Sequence, residues 1–263
     1  MSVGLGTIAL EFGSEGTGTG HFQDLRYVAV DSDGNIYTGE YSSGRIQKFD
    51  ANGKFITSWI PASKRPLRGL AVGRNGNVFI VRGSQILKYD GTGKLLKTFG
   101  DNSSFYDDVA LLPDGNLLVA VTNASNNDIV KLNANTGAEI AHFTNAISSQ
   151  TDSAELDVRL TADGLGTIYA LGIFSNAVFV FNANGKFQNR FGSFLAASDI
   201  SVDGQSRVYV TDFGTIHIFD KNGAAIGDIG APNHQAFQTV IDDSGNLYMA
   251  SRDRVYKVVL ALP

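Results

Sequence analysis

The chain has 263 residues, enough for one domain that buries most of the surface its unfolded form would expose. It contains no cysteine, which excludes disulfides, thiolate metal sites and a thiol nucleophile. A formal net charge of -5 argues against a surface built to neutralise nucleic-acid phosphates. No apolar run approaches the ~18 residues of a membrane span, and the opening Met1-Ser2-Val3-Gly4 lacks the charged and apolar regions of a secretory signal. No membrane insertion is expected.

The first apolar segment, Ile8-Ala9-Leu10-Glu11-Phe12-Gly13, has the pattern of Leu95-Leu96-Lys97-Thr98-Phe99-Gly100, Phe187-Gln188-Asn189-Arg190-Phe191-Gly192 and Ala225-Ile226-Gly227-Asp228-Ile229-Gly230. Next, Val28-Ala29-Val30-Asp31-Ser32-Asp33-Gly34-Asn35-Ile36-Tyr37 returns as Leu70-Ala71-Val72-Gly73-Arg74-Asn75-Gly76-Asn77-Val78-Phe79 and again around Asp114-Gly115-Asn116-Leu117-Leu118. The residues closing this phrase, Tyr37, Phe79, Leu118, Tyr169, Tyr209 and Tyr248, are spaced 42, 39, 51, 40 and 39 residues apart. Six tandem units follow. Each carries four short apolar runs, a to d, which in the first unit are 28–30, 36–38, 45–49 and 54–59. Asp33-Gly34, Asn52-Gly53, Asn75-Gly76, Asn184-Gly185 and Asn222-Gly223 lie between runs, where tight hairpins need residues that tolerate positive φ.

Runs a and b are apolar nearly throughout, as in Leu117-Leu118-Val119-Ala120-Val121, so both faces must be covered. A ring of four-stranded sheets meets that need and leaves only short edges. The last unit stops after run c, 254–258, and residues 1–13 supply the missing fourth strand. The expected fold is all-β: a six-bladed propeller of four antiparallel strands per blade, closed by the N-terminal strand, as a single domain over 1–263.

The run Arg45-Ile46-Gln47-Lys48-Phe49-Asp50, after an apolar strand, Asp and Gly-Asn, resembles the NHL-repeat propellers over essentially the whole chain. The resemblance implies the six-bladed fold and a range of activities: protein- and RNA-binding modules, extracellular sensor domains of bacterial kinases, and metal-dependent lyases. Lyases of this kind use several His, Glu or Asn converging on the axis.

In such a propeller the d-to-a and b-to-c loops share one face and the glycine turns the other. The loops vary in length, charge and aromatic content, which marks their face for ligand binding. The longest are 122–128 and 144–155. The residue before strand a should face the channel mouth, and there the units read Tyr27, Gly69, Asp108, Asp157, Asp199 and Gln238. The three carboxylates read either as a cation or amine site or, as favoured here, as acceptors for loop amides. Blades one and two offer Arg26, Arg45, Lys64, Arg65, Arg68 and Arg82, interrupted by Glu40. Blades three to five offer Asp107, Asp108, Asp128, Asp152, Glu155, Asp157, Asp199 and Asp212. That division suits an elongated ligand or peptide charged at both ends, assisted by Tyr27, Tyr41, Tyr106 and Phe237; the other reading is an ordinary solvated surface.

His142 and His217 fall in strands and read as structural, whereas His21 and His234 fall in neighbouring d-to-a loops where a metal pair is conceivable but disfavoured. Asp31-Ser32-Asp33-Gly34-Asn35 has its glycine too early for a calcium loop and reads as a hairpin turn. The glycines at 13, 16, 18 and 20 precede no helix, so they form no phosphate cradle. The expected function is a non-catalytic binding module for a protein, peptide or small ligand, in the manner of a sensor domain of a larger bacterial protein. The alternative is a metal-dependent lyase or hydrolase at the channel mouth. No catalytic residue, metal, cofactor or nucleic acid is expected; a monomer is expected, and an extracytoplasmic setting is slightly favoured.

Overall fold

The computed structural model describes residues 4–62, 65–100, 104–123, 126–151, 154–155 and 157–262. They form six separate four-stranded antiparallel sheets. Five run in chain order: in blade one, strands a to d are Leu25–Val30, Ile36–Glu40, Ile46–Phe49 and Phe55–Trp59. In the sixth sheet the N-terminal strand Gly6–Phe12 lies beside Arg254–Leu260, pairing Gly6 with Leu260 and Phe12 with Val255. The ring therefore closes by joining the two ends of the chain. The fold is that of a six-bladed propeller.

Strands b are buried along nearly their whole length, strands a and c mix buried with half-buried positions, and d strands such as Phe55–Trp59 alternate between half-buried and exposed. Six apolar clusters fill the gaps between blades. The one that joins the last blade to the first contains Phe22, Leu25, Ile36, Phe49, Tyr248, Ala250 and Val255. Covering both faces of each sheet in this way is the reason the inner runs carry no polar alternation.

Turn chemistry also serves packing. Asp31 accepts N–H bonds from Asp33 and Asn35 through Oδ1, and the Tyr37 hydroxyl donates to its Oδ2. The segment is a hairpin cap. Gly185, at φ 75°, lies beneath the Phe143 ring of the preceding blade, so close that an added Cβ would sit 2.2 Å from the ring. Gly53 lies in the same way under Phe12 of the closing strand. These glycines provide both the positive φ and the space for a neighbouring blade's ring.

Candidate functional site at the loop face

Backbone bonds interlock the d-to-a and b-to-c loops. Tyr41 N–H donates to Asp24, Leu67 to Tyr41, Tyr106 to Gly83 and Phe194 to Asn176. The loops thus lie together at one end of the channel. Lys64 and Asp152, and parts of the two longest loops, fall outside the described residues.

Strand pairing defines the channel ring. Tyr27, Gly69, Asp108, Asp199 and Gln238 sit opposite Gly39, Val81, Ala120, Thr211 and Ala250, each two residues past the closing residue of the repeat phrase. In blade four that partner is Leu171, and Arg159 pairs with it. The sequence reading of Asp157 as the ring residue is therefore corrected: strand a there is Val158–Ala162, and Arg159 occupies the axis. In strands a of blades one, three and five, bulges insert Arg26, Asp107 and Ser198 just before the ring residue. Such insertions re-aim side chains.

Ring side chains stitch blade to blade. Asp108 Oδ2 accepts the Leu160 N–H at 2.9 Å, Asp199 Oδ2 accepts Thr239 N–H at 2.8 Å and Gln238 Oε1 accepts Val28 N–H at 3.0 Å. The Tyr27 hydroxyl donates to Leu67 O at 2.9 Å, and burial pushes its pKa up to about 12. Arg159 crosses the mouth, donating to Arg68 O at 2.5 Å, to Asp107 O at 3.1 Å and to Asp157 Oδ2 at 3.0 Å. Arg68 also pairs with Asp157 Oδ2 at 3.0 Å and with Asp107 Oδ1 at 3.3 Å, while the Thr122 hydroxyl donates to Asp107 Oδ2. The carboxylates thus surround an internal cation. Burial would lower the Arg159 pKa, but Asp157, Tyr27, Asp108 and Asp199 together raise it above its ordinary value.

The cluster remains electrostatically costly. Asp108 Oδ1, Asp157 Oδ1 and Arg68 Nε are buried without a hydrogen-bond partner among the described residues. Burial, opposed by Arg159 and by amide bonds, pushes the Asp108 carboxyl up to about 7. Burial, reinforced by the neighbouring Asp108, pushes Asp199 up to about 8, and burial with Asp157 nearby pushes Asp107 up to about 6. Gly69 makes this geometry feasible, since a Cβ there would lie 2.8 Å from Asp108 Oδ1. Among the described residues no group of three His, Asp or Glu is arranged to hold a metal ion.

Other charges named from sequence serve the loops. Glu40, Arg82 and Asp212 each end a strand b, and all three are buried. Glu40 accepts Gln23 N–H and pairs with Arg45, whose guanidinium also holds the carbonyls of Gly18 and His21. Arg82 donates to Arg65 O and Pro61 O. Asp212 accepts the N–H groups of Leu195 and Ala196. In blade four the strand instead ends in Gly172, which leaves room for Glu155 to accept the N–H groups of Phe174 and Ser175. Tyr106 is half-buried against the core between blades two and three.

The histidines are dispersed. His142 bridges Asp128 and Glu139, with its pKa raised chiefly by the Asp128 bond. His217 bonds to Asp228 and stacks on Phe194. His21 bonds to Ser14 Oγ at 2.8 Å, and His234 packs against Gly214.

What sequence reasoning missed is an apolar group. Phe174, Leu195 and Phe213 are 66%, 89% and 79% exposed. They stand on the b-to-c turn of blade four, the crossover to blade five and the b-to-c turn of blade five. Phe213 is held at φ 42° in a two-residue turn before Gly214, where Asn or Gly is the relaxed choice. That misfit was readable from the sequence Asp212-Phe213-Gly214-Thr215.

No family model matches the chain and no curated protein matches its sequence. Among solved structures it is similar to a streptogramin B lyase at 14% identity and TM-score 0.66, covering 95% of this chain and 96% of that one. It is also similar to a catalytically inactive virginiamycin B lyase from Staphylococcus aureus with quinupristin, at 15% identity and TM-score 0.66, covering 93% and 82%. A luciferin-regenerating enzyme matches at 12% identity and TM-score 0.67, covering 91% and 92%. At these identities the likeness establishes the propeller fold alone.

Proposed function

We propose that the chain is a non-catalytic binding module, a propeller of the NHL-repeat kind, that takes a protein, peptide or small ligand on its loop face. The observation that carries this reading is the exposure of Phe174, Leu195 and Phe213: the backbone N–H groups of the first two bond to the buried carboxylates of Glu155 and Asp212, and Phe213 stands in the turn that follows Asp212. Several large apolar side chains exposed on neighbouring loops of one face are characteristic of an interaction surface, and aromatic residues dominate binding hot spots. Phe213 strengthens the case, because a left-handed residue with a bulky side chain costs about 1–2 kcal/mol at a site where smaller residues would fit.

The charged groups of the mouth support the same reading. Arg159 stands among the carboxylates that the lyase or hydrolase alternative assigns to a metal, and the ring contains no histidine. A fragment and peptide library followed by backbone amide NMR tests the proposal. Hits should shift the amides of 173–176, 193–196 and 213–214, and a folded Phe174→Ser, Leu195→Ser, Phe213→Asn triple variant should lose them. Hits confined to the glycine-turn face, or unaffected by the triple variant, would overturn it.

A further inference from the structure

Arg26 is the inserted residue of the bulge in strand a of blade one, between Leu25, which pairs with Glu40, and Tyr27, which pairs with Gly39. Its guanidinium carbon lies 4.1 Å from the Tyr41 ring centroid and 5.5 Å from that of Phe237. The rings come from different blades: Tyr41 from the b-to-c turn of blade one, Phe237 from the crossover entering blade six. Nε donates to Asp24 Oδ1 at 3.0 Å, and the Ser42 hydroxyl holds Asp24 Oδ2 at 3.1 Å. Neither Nη nitrogen has a partner among the described residues, and the side chain is 39% exposed. Two aromatic contacts and the Nε bond are therefore in place, while the end bearing two parallel N–H groups remains open.

We infer that this open edge is an anion subsite of the loop face, binding a carboxylate end-on through two parallel N–H···O bonds. The inference rests on the loop-face reading above. The aromatic contacts and Asp24 order the guanidinium in advance, which lowers the conformational entropy lost on binding. A planar carboxylate matches the planar fork. A tetrahedral phosphate can also meet such a fork, but it carries further oxygens out of the guanidinium plane, and the nearby ring faces at 4.1 and 5.5 Å make added negative charge there less favourable. The carboxylate belongs either to a small organic acid or to a peptide C-terminus.

The test follows the Arg26 Nε–H signal of the full chain by NMR during titration with benzoate, benzamide, inorganic phosphate, and the dipeptide Gly-Phe as its free acid and its amide. Benzoate and the dipeptide acid should shift the signal saturably, whereas benzamide and the dipeptide amide should not. Phosphate should bind more weakly. Arg26→Lys, which keeps the charge, should weaken benzoate by about tenfold, on the order of one charge-assisted bond; Arg26→Met should abolish binding. A dipeptide acid at least about tenfold tighter than benzoate, one further favourable contact's worth, identifies the peptide source; equal affinity identifies the small acid. Equal binding of benzoate and benzamide, phosphate binding as tight as benzoate, or a folded Arg26→Lys protein that binds as the parent does, overturns the inference. If library hits still shift 173–176 and 213–214 in that case, only the subsite fails; if they do not, the loop-face reading fails with it.

Discussion

Asp108 lies in the channel ring with 3% of its surface exposed, one oxygen accepting the Leu160 N–H and the other without a partner. The Asp108→Asn variant keeps an acceptor for Leu160 and removes the ionisation. The carboxyl is pushed from 3.8 up to about 7, chiefly by burial, with Arg159 and the Leu160 amide opposing. At about 1.4 kcal/mol per unit, holding it ionised in the fold costs up to about 4 kcal/mol. The folded pKa exceeds the unfolded one, so the stability this group confers is complete below about pH 4 and is lost as pH rises through about 7. Parent and variant should differ by no more than about 1 kcal/mol at pH 4.5, whereas at pH 8 the variant should be more stable by about 2–4 kcal/mol. The lower figure allows for the unpartnered Nδ2. Urea unfolding at pH 4.5, 6, 7 and 8 measures the difference. A pH-independent difference, or a variant less stable at pH 8, would refute the reasoning.

Removing the internal cation should have the opposite effect. Arg159→Met leaves Asp157, Asp108 and Asp199 uncompensated and should cost about 3–5 kcal/mol in urea unfolding at neutral pH. A variant as stable as the parent at pH 8 would count against Arg159 as the internal counter-charge. Phe213→Asn should gain about 1 kcal/mol in denaturant unfolding by relieving the left-handed strain, while losing the library hits that the parent binds. Deleting residues 1–13 removes the half-buried Ile8, Leu10 and Phe12 and should cost at least about 3–5 kcal/mol by area alone. An unchanged melting curve would contradict closure by this strand.

Blade count and ring closure were legible because they rest on local signals repeated six times. Asx-Gly turns specify hairpins wherever they occur, and unalternating apolar runs require cover on both faces. The absence of a strand after 254–258 and its likeness at 8–13 then leave one way to complete the last sheet. The loop-face charges were less legible. Glu40, Arg82 and Asp212 read as surface groups by residue type, yet each ends a strand b, where crossover loops fold over it and supply its partners.

By itself, the sequence determined the repeat, the six sheets and the face on which the loops gather, since hairpin chemistry and burial pattern act over a few residues. Only the tertiary structure decided which group stands at the axis. Asp157 and Arg159 are two residues apart, and side chains in a strand alternate with period two, so both fit the same inward-facing slot. Pairing of Arg159 with Leu171 fixes the register. It turns three apparent carboxylates at the channel mouth into two ring carboxylates and Asp157 gathered around an arginine, because register is set by cross-strand partners that no single strand specifies.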